Sequence, residues 1–158
     1  MNQRLATVVL LLMSIAAVRA AEWYEQGHQQ HLLDWSNFDT AIQQPGKFKF
    51  IKFFTRNCRY CRLLKQVEEQ LREEKQWIFN FYAVDCSLHY DLCMTKAAMT
   101  AFPFVGIYGA QGALHGTIRG FYPLETMREA FNTIENWQVA EQLTHNGPQV
   151  VLADPKTA

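Results

Sequence analysis

Apolar residues fall along the chain in compact runs that predict five strands. Runs rich in aromatic and β-branched residues at 48–54 and 77–85 are typical of strands that are buried on both faces of a sheet. A shorter apolar run at 31–35 predicts a first strand. Segments 104–109 and 113–120 are separated by a glycine-containing turn and predict a hairpin.

Helical spacing of apolar residues predicts a long amphipathic helix that begins at a pair of cysteines and ends near Lys75. Its apolar positions recur every three or four residues, at Tyr60, Leu64, Val67 and Leu71. The same spacing predicts further helices at 91–99 and 124–143. A short first helix is predicted at 37–44, where Ser36 is expected to be the N-cap.

The order of these elements is strand, helix, strand, helix, strand, helix, strand, strand, helix. Alternation of this kind implies an α/β domain in which a central mixed β-sheet is flanked by helices on both faces. The composition supports one packed core, because 49% of the residues are hydrophobic. The domain is expected to span residues 21–145, followed by a flexible tail at 146–158 that contains glycine and proline.

Residues 1–20 have the features of a secretory signal peptide. Arg4 precedes an uncharged apolar stretch at 5–18, and small residues flank Arg19 at a cleavage-like site. The stretch is shorter than the roughly 20 residues of a membrane-spanning helix, so stable membrane insertion is not expected. The last four residues are not a K-D-E-L type retention signal. The expectation is a protein of the secretory pathway, either in the endoplasmic reticulum lumen or secreted.

The charge balance gives no reason to expect a nucleic-acid partner. The chain has 15 basic and 15 acidic residues, and cleavage after residue 20 removes two of the basic ones, Arg4 and Arg19. Phosphate binding requires a concentrated basic surface, and the overall composition of a near-neutral chain does not predict one.

The motif C-R-Y-C places two cysteines three positions apart and is the strongest chemical signal in the chain. Cys58 is predicted at the junction of a buried strand and a helix, where backbone N–H groups and the helix dipole stabilise a thiolate. Arg56, Arg59 and Arg62 add positive charge that tunes the ionisation of this thiol in the same direction. The couple is therefore expected to be more oxidising than a cytosolic reductant. Cys61, one turn on, is placed to resolve a mixed disulfide.

Other interpretations of the cysteines stay open. The C-R-Y-C pair could be an inert bridge, although a loop this tight constrains the unfolded chain little. The four cysteines together could bind zinc, but their spacing lacks the repeated C-x2-C of zinc ribbons, and no metal site is expected. Cys86 and Cys93 can meet if the loop between them turns back, and a structural disulfide worth about 2 kcal/mol is expected there. A second exchange pair is the alternative for these two cysteines.

From residue 35 to residue 137 the chain resembles the thioredoxin-like domains of protein disulfide isomerases. The segments FKFIKFFTRNCRYCRLLKQVEEQL, AVDCSLHYDLC and FPFVGIYG match their active-site strand and helix, their valine-aspartate-cysteine segment and their cis-proline strand. The resemblance implies a thioredoxin fold, with Cys58 as the attacking thiol and Cys61 as the resolving thiol. It also implies that Phe102 and Pro103 bind substrate, with Pro103 in the cis form. The redox-active disulfide would need no further cofactor.

Several positions depart from the pattern of that family. The tryptophan before the first cysteine is replaced by Asn57. Lys52 stands where many members have a buried acid that relays protons, so proton transfer to Cys61 requires another route or a neutral lysine. The family's mobile arginine would fall at Tyr122, with Arg119 as a displaced substitute. These differences indicate a slower or more specialised oxidoreductase.

The expected function is thiol–disulfide exchange on cysteine-containing or unfolded secretory proteins, as in a protein disulfide isomerase. An electron donor or acceptor of unknown identity would reset the cysteine pair after each turnover. The competing hypothesis is a non-catalytic thioredoxin-fold binding module or chaperone, in which the surface around Pro103 holds unfolded chains.

Overall fold

A computed structural model describes residues 32–97, 101–141 and 150–152 of the chain. The chain divides into two units, Met1–Leu32 and Leu33–Ala158, and every described helix and strand belongs to the second. In chain order the elements are α1 (Phe38–Gln43), β1 (Phe48–Phe54), α2 (Arg59–Lys75), β2 (Phe79–Asp85), α3 (Tyr90–Ala97), β3 (Phe104–Tyr108), β4 (Leu114–Arg119), α4 (Leu124–Glu141) and β5 (Val150–Leu152).

The strands form one mixed sheet in the order β2-β1-β3-β4-β5. β1 runs parallel to β2 and antiparallel to β3, while β4 is antiparallel to β3 and parallel to β5. The register pairs Phe54 with Asp85, Phe53 with Phe104, and Phe104 with Arg119. The C-terminal ends of β1, β2 and β4 and the N-terminal end of β3 therefore lie at the same edge of the sheet. The chain passes from β1 into α2 at this edge.

β1 lies at the centre of the fold, because all of its residues are buried. Its side chains alternate between two hydrophobic clusters, as expected for a strand with helices on both faces. In one cluster Phe50 packs with Leu64 of α2 and Phe131 of α4. In the other, Phe53 packs with Phe38 of α1 and with residues of α3. The structure confirms the predicted central mixed sheet flanked by helices on both faces.

The predictions for the start of the domain are wrong at two points. No strand forms at the described residues of the 31–35 segment, although the Leu33 N–H donates to a β2 carbonyl at 2.8 Å. The Asp34 carboxylate accepts from both the backbone N–H and the hydroxyl of Ser36, and these bonds lower the pKa of Asp34. α1 begins at Phe38, so the N-cap position falls one residue later than predicted, and Ser36 lies before it. Asn37 is the N-cap of α1 and makes no side-chain cap bond.

The other predicted elements are present, with small shifts at their ends. β1 has the predicted bounds, whereas β2 begins two residues later than predicted. Trp77 is 61% exposed there, and the Ile78 N–H donates to the Lys75 carbonyl in the turn after α2. α3 begins at Tyr90, one residue early, and α4 is described as far as Glu141. The remaining predicted residues of both helices lie outside the described part of the chain.

Two predicted segments lie wholly or mostly outside the described residues. The signal peptide predicted at 1–20 lies wholly outside them, and the tail predicted at 146–158 lies mostly outside them. Within the tail predicted at 146–158, Val150–Leu152 forms a short strand parallel to β4, and the flexibility of the tail stays a prediction. In the part of the chain that the structure describes, no helix has both the length and the apolar character needed to span a bilayer.

Candidate active site

The cysteine pair lies where β1 ends and α2 begins. Cys58 is the N-cap of α2, with an extended backbone (φ −80°, ψ 111°), and Cys61 lies in the first turn of the helix. A disulfide joins the two residues, whose Cα atoms are 5.2 Å apart. The Cys61 N–H donates to the Cys58 Sγ at 3.1 Å. This backbone donor and the helix dipole favour negative charge on the Cys58 sulfur once the disulfide is reduced.

The two sulfurs differ in accessibility. Cys61 is fully buried, whereas Cys58 is partly exposed. A thiolate of another protein can therefore approach the Cys58 Sγ but not that of Cys61. The asymmetry agrees with the attacking role of Cys58 and the resolving role of Cys61 that the resemblance implies, and both roles stay predictions.

A cis-proline lies at the same edge of the sheet as the cysteine pair. The Phe102–Pro103 peptide bond is cis, Pro103 is buried and Phe102 is half-buried. The Pro103 carbonyl accepts from the Gly120 N–H at 2.9 Å, just beyond the end of β4. Phe104, the next residue, pairs with Phe53, the residue before the last one of β1. The cis form is the one that the resemblance implies, and the binding of substrate by Phe102 and Pro103 stays a prediction.

The three arginines predicted to tune Cys58 have different surroundings. Arg56 donates from Nε to the carboxylate of Asp85 at 2.7 Å, and Asp85 is buried at the end of β2. Arg59 and Arg62 are exposed in the first turn of α2, which contains no acidic residue. Asp85 offsets the charge of Arg56. Arg59 and Arg62 are therefore the arginines that we expect to stabilise the Cys58 thiolate.

A buried ion pair lies between β1 and α2. The Lys52 ammonium binds the carboxylate of Glu68, and their side chains are 1% and 2% exposed. The second oxygen of Glu68 accepts from the Arg72 guanidinium at 2.9 Å, one turn further along α2. A buried carboxylate from the helix thus balances the lysine that replaces the family's buried acid. The ion pair gives the buried Lys52 a counter-charge, and the route of proton transfer to Cys61 stays a prediction.

Glu68 was not identified from the sequence, although a signal for it existed. It lies four residues after Leu64 and three before Leu71, so helical spacing places it on the buried face. Tyr60, predicted for that face, is instead 45% exposed, and Cys61 takes its place. The charge of Glu68 obscured its position, because a glutamate in an amphipathic pattern normally marks the solvent side.

Tyr60 connects the cysteine motif with the cis-proline region. Its ring stacks on that of Phe121, with centroids 6.5 Å apart and an interplanar angle of 23°. Phe121 follows Gly120, which has a positive φ of 87° and donates to the Pro103 carbonyl. The stacking partner was not predicted, since the contact joins residues far apart in the sequence.

Cys86 and Cys93 form the second disulfide, with Cα atoms 5.9 Å apart. Cys86 is 3% exposed and Cys93 is fully buried, within the cluster that covers the α1 and α3 side of the sheet. The Cys86 N–H donates to the carbonyl of Phe54 at 2.8 Å, next to the segment that leads to Cys58. The pairing agrees with the predicted structural disulfide.

We expect Cys86–Cys93 to stay oxidised in a mild thiol buffer that fully reduces Cys58–Cys61. Burial of both sulfurs keeps an attacking thiolate away, whereas Cys58 is accessible. Differential alkylation of the two pairs, followed by mass spectrometry, measures this directly. Equal lability of the two pairs would identify Cys86 and Cys93 as a second exchange pair instead.

The described residues give the zinc hypothesis no support. All four cysteines are in disulfides, so none is present as a thiolate ligand. Within the described ranges no group of three or more His, Cys, Asp and Glu side chains is arranged to hold a metal ion.

Comparison with known proteins places the chain in a family. A sequence model of the thioredoxin family matches residues 29–133, which is more than half of the chain. The chain therefore belongs to the thioredoxin family, and its mixed sheet with flanking helices is the thioredoxin fold. Oxidoreductases with this fold use a cysteine pair as the redox group and need no cofactor, and Cys58–Cys61 occupies that place.

The chain is also similar to the thioredoxin domain-containing protein 5 homolog of Drosophila melanogaster. The two are 32% identical over an alignment of 111 residues, and the alignment covers 63% of this chain and 25% of that protein. The aligned part therefore spans about a quarter of the length of that relative. The family and the cysteine pair together support thiol–disulfide oxidoreductase chemistry.

Proposed function

We propose that the protein catalyses thiol–disulfide exchange on cysteine-containing proteins of the secretory pathway, in the manner of a protein disulfide isomerase domain. The observation that carries the proposal is the asymmetry of the pair, a partly exposed Cys58 at a helix start bonded to a fully buried Cys61. A purely structural disulfide does not require that one of its cysteines be partly exposed at a helix N-terminus. The location of Pro103 supports the proposal, because this residue lies at the same edge of the sheet as the cysteine pair.

In the oxidising direction the chemistry proceeds in two displacements. A substrate thiolate attacks the Cys58 Sγ, the Cys58–Cys61 bond breaks, and the released Cys61 thiolate takes up a proton. A second substrate thiol then loses its proton and attacks the substrate sulfur of the mixed disulfide, which releases Cys58 as a thiolate. The substrate loses two electrons and gains a disulfide, and the cysteine pair gains the two electrons. The reverse sequence reduces a substrate disulfide.

The chain's own residues assist each displacement. The Cys61 N–H, which lies 3.1 Å from the Cys58 Sγ, stabilises the thiolate that leaves in the second step. The exposed arginines in the first turn of α2 act in the same direction. A disulfide compound or another two-electron oxidant must accept the two electrons before the next oxidation, and in the reverse direction a thiol compound must donate them, so the protein requires a redox partner.

The proposed compartment rests on two observations. The sequence predicts a signal peptide at residues 1–20. Both disulfides are formed in the structure, and structural disulfides are typical of oxidising compartments. The endoplasmic reticulum lumen and the extracellular space both fit these observations.

Turnover of model substrates tests the proposal. We expect the wild-type protein to reduce insulin in the presence of a small dithiol and to reactivate scrambled ribonuclease. The Cys58→Ser variant is expected to act at the uncatalysed rate, because the accessible sulfur is lost. A Cys86→Ser/Cys93→Ser variant is the matched control, since it also loses a cysteine pair but keeps Cys58–Cys61. It should retain activity if circular dichroism shows that it is folded.

Two results would contradict the proposal. Insulin reduction by Cys58→Ser at the wild-type rate would show that this sulfur is not the reactive one. A folded wild-type protein that is inactive in both assays, yet suppresses aggregation of an unfolded substrate, would favour the non-catalytic binding module.

A further inference from the structure

Four side chains at the end of the sheet where Cys58 lies form a group that we term the active-site rim, namely Arg59, Tyr60, Arg119 and Phe121. Tyr60 lies between the two cysteines, and its ring stacks on Phe121. The segment before Phe121 is fixed to the cis-proline by the bond from the Gly120 N–H to the Pro103 carbonyl. The rim therefore includes residues from both sides of the site, the first turn of α2 and the end of β4.

The charge of the rim is basic. Arg59 and Arg119 are both exposed, and neither forms an ion pair with any of the described residues. The Arg119 guanidinium lies over the ring of Phe104, 5.9 Å from its centroid. Nearby acids are already engaged, because Asp85 binds Arg56 and Glu125 binds Arg128. The chain as a whole has equal numbers of basic and acidic residues, so this basic surface is a local feature.

We infer that the active-site rim selects substrate segments in which the reacting cysteine is flanked by acidic residues. The inference rests on the proposed exchange function and names its substrate class. Guanidinium groups bind carboxylates through charge-assisted hydrogen bonds, and the two arginines lie on different elements at the end of the sheet where Cys58 lies. A chain that crosses the site in extended form can therefore place a carboxylate on either side of its cysteine. The stacked rings of Tyr60 and Phe121 add apolar surface to the rim, because Tyr60 follows Arg59 and Phe121 lies two residues after Arg119.

A polypeptide is the partner that fits this surface best. The arginines lie at the same end of the sheet as the Cys58 sulfur, whose chemistry requires another sulfur, and a nucleic acid or a lipid headgroup does not provide one. The attraction acts between solvated groups, so it falls as the salt concentration rises. This dependence separates a charge preference from a preference for shape.

The test compares two peptides of equal length that differ only in the residues beside one cysteine, two glutamates in one and two lysines in the other. Rates of mixed-disulfide formation with the oxidised protein are measured by stopped flow at low and high salt. The same rates are measured for an Arg59→Gln/Arg119→Gln variant. The ratio of the acidic to the basic rate is then compared between the two proteins, so the intrinsic reactivity of each peptide thiol cancels.

We expect the double variant to lower this ratio roughly fivefold at low salt, since two exposed charge pairs are lost. High salt should reduce the wild-type ratio toward that of the variant. Arg128→Gln is the control, because Arg128 binds Glu74 near the far end of α2 and lies outside the rim. An equal ratio in wild type and double variant, or an equal decrease in the control, would overturn the inference while leaving the exchange function intact. Failure of the wild type to react with either peptide would refute the proposed function itself.

Discussion

Replacing Glu68 with leucine is expected to lower the free energy of unfolding by about 3–5 kcal/mol, the usual effect of breaking a buried ion pair from one side. The substitution would leave the Lys52 ammonium buried in β1 without its carboxylate, where desolvation is unfavourable. Arg72 would lose the same partner, but its side chain is 18% exposed and can turn toward water. Most of the loss should therefore come from the lysine.

A double-mutant cycle separates this effect from lost packing. The Lys52→Met/Glu68→Leu variant removes both buried charges and replaces them with apolar side chains, so we expect it to recover most of the lost stability. The cycle requires the free energies of unfolding of the wild type, Lys52→Met, Glu68→Leu and the double variant. Urea unfolding of the four oxidised proteins at neutral pH gives these values. A loss of less than about 1 kcal/mol in Glu68→Leu, the value typical of an exposed pair, would show that Lys52 does not depend on the carboxylate.

Replacing Cys61 with serine is expected to trap substrate as a mixed disulfide through Cys58. The free Cys58 thiolate can still attack an accessible disulfide, but the buried thiol that would displace the product is gone. Incubation with scrambled ribonuclease should give a covalent adduct that is visible on a non-reducing gel. A strong reductant should cleave the disulfide of this adduct. The wild-type protein should accumulate far less adduct under the same conditions.

The matching variants define the roles of the two cysteines. Cys58→Ser and the Cys58→Ser/Cys61→Ser double variant are expected to form no adduct, because neither exposes a reactive sulfur at the helix start. If Cys58→Ser trapped more substrate than Cys61→Ser, the attacking and resolving roles would be reversed. If no variant trapped substrate, the pair would act as an inert bridge.

The hydrophobic pattern predicted those parts of the fold that depend on local sequence. The run from Phe48 to Phe54 gave the bounds of β1, because a strand covered on both faces contains few polar side chains. The C-x-x-C spacing and the strand–helix junction located the accessible sulfur at Cys58. The resemblance to disulfide isomerase domains added the cis bond at Pro103, for which the chain itself gave only moderate support.

Features that depend on contacts between distant segments could not be predicted in the same way. The partners of Lys52 and Arg56 come from α2 and β2, and a linear pattern does not specify which acid faces which base. The stacking of Tyr60 on Phe121 depends on the path of the chain after β4. At the start of α1 the first helical residue is Phe38, so the N-cap position falls at Asn37, and Ser36 instead bonds to Asp34.

The segment that leads from β1 to Cys58 is held at several points. The Phe54 carbonyl accepts from the Cys86 N–H at 2.8 Å, the Arg56 N–H donates to the Ser87 hydroxyl at 3.1 Å, and the Arg56 side chain binds Asp85. These contacts with Asp85, Cys86 and Ser87 give the sulfur of Cys58 a preorganised support. When another protein binds here, most of the conformational change therefore has to occur in that protein. An incompletely folded chain changes its conformation more readily than a rigid loop does.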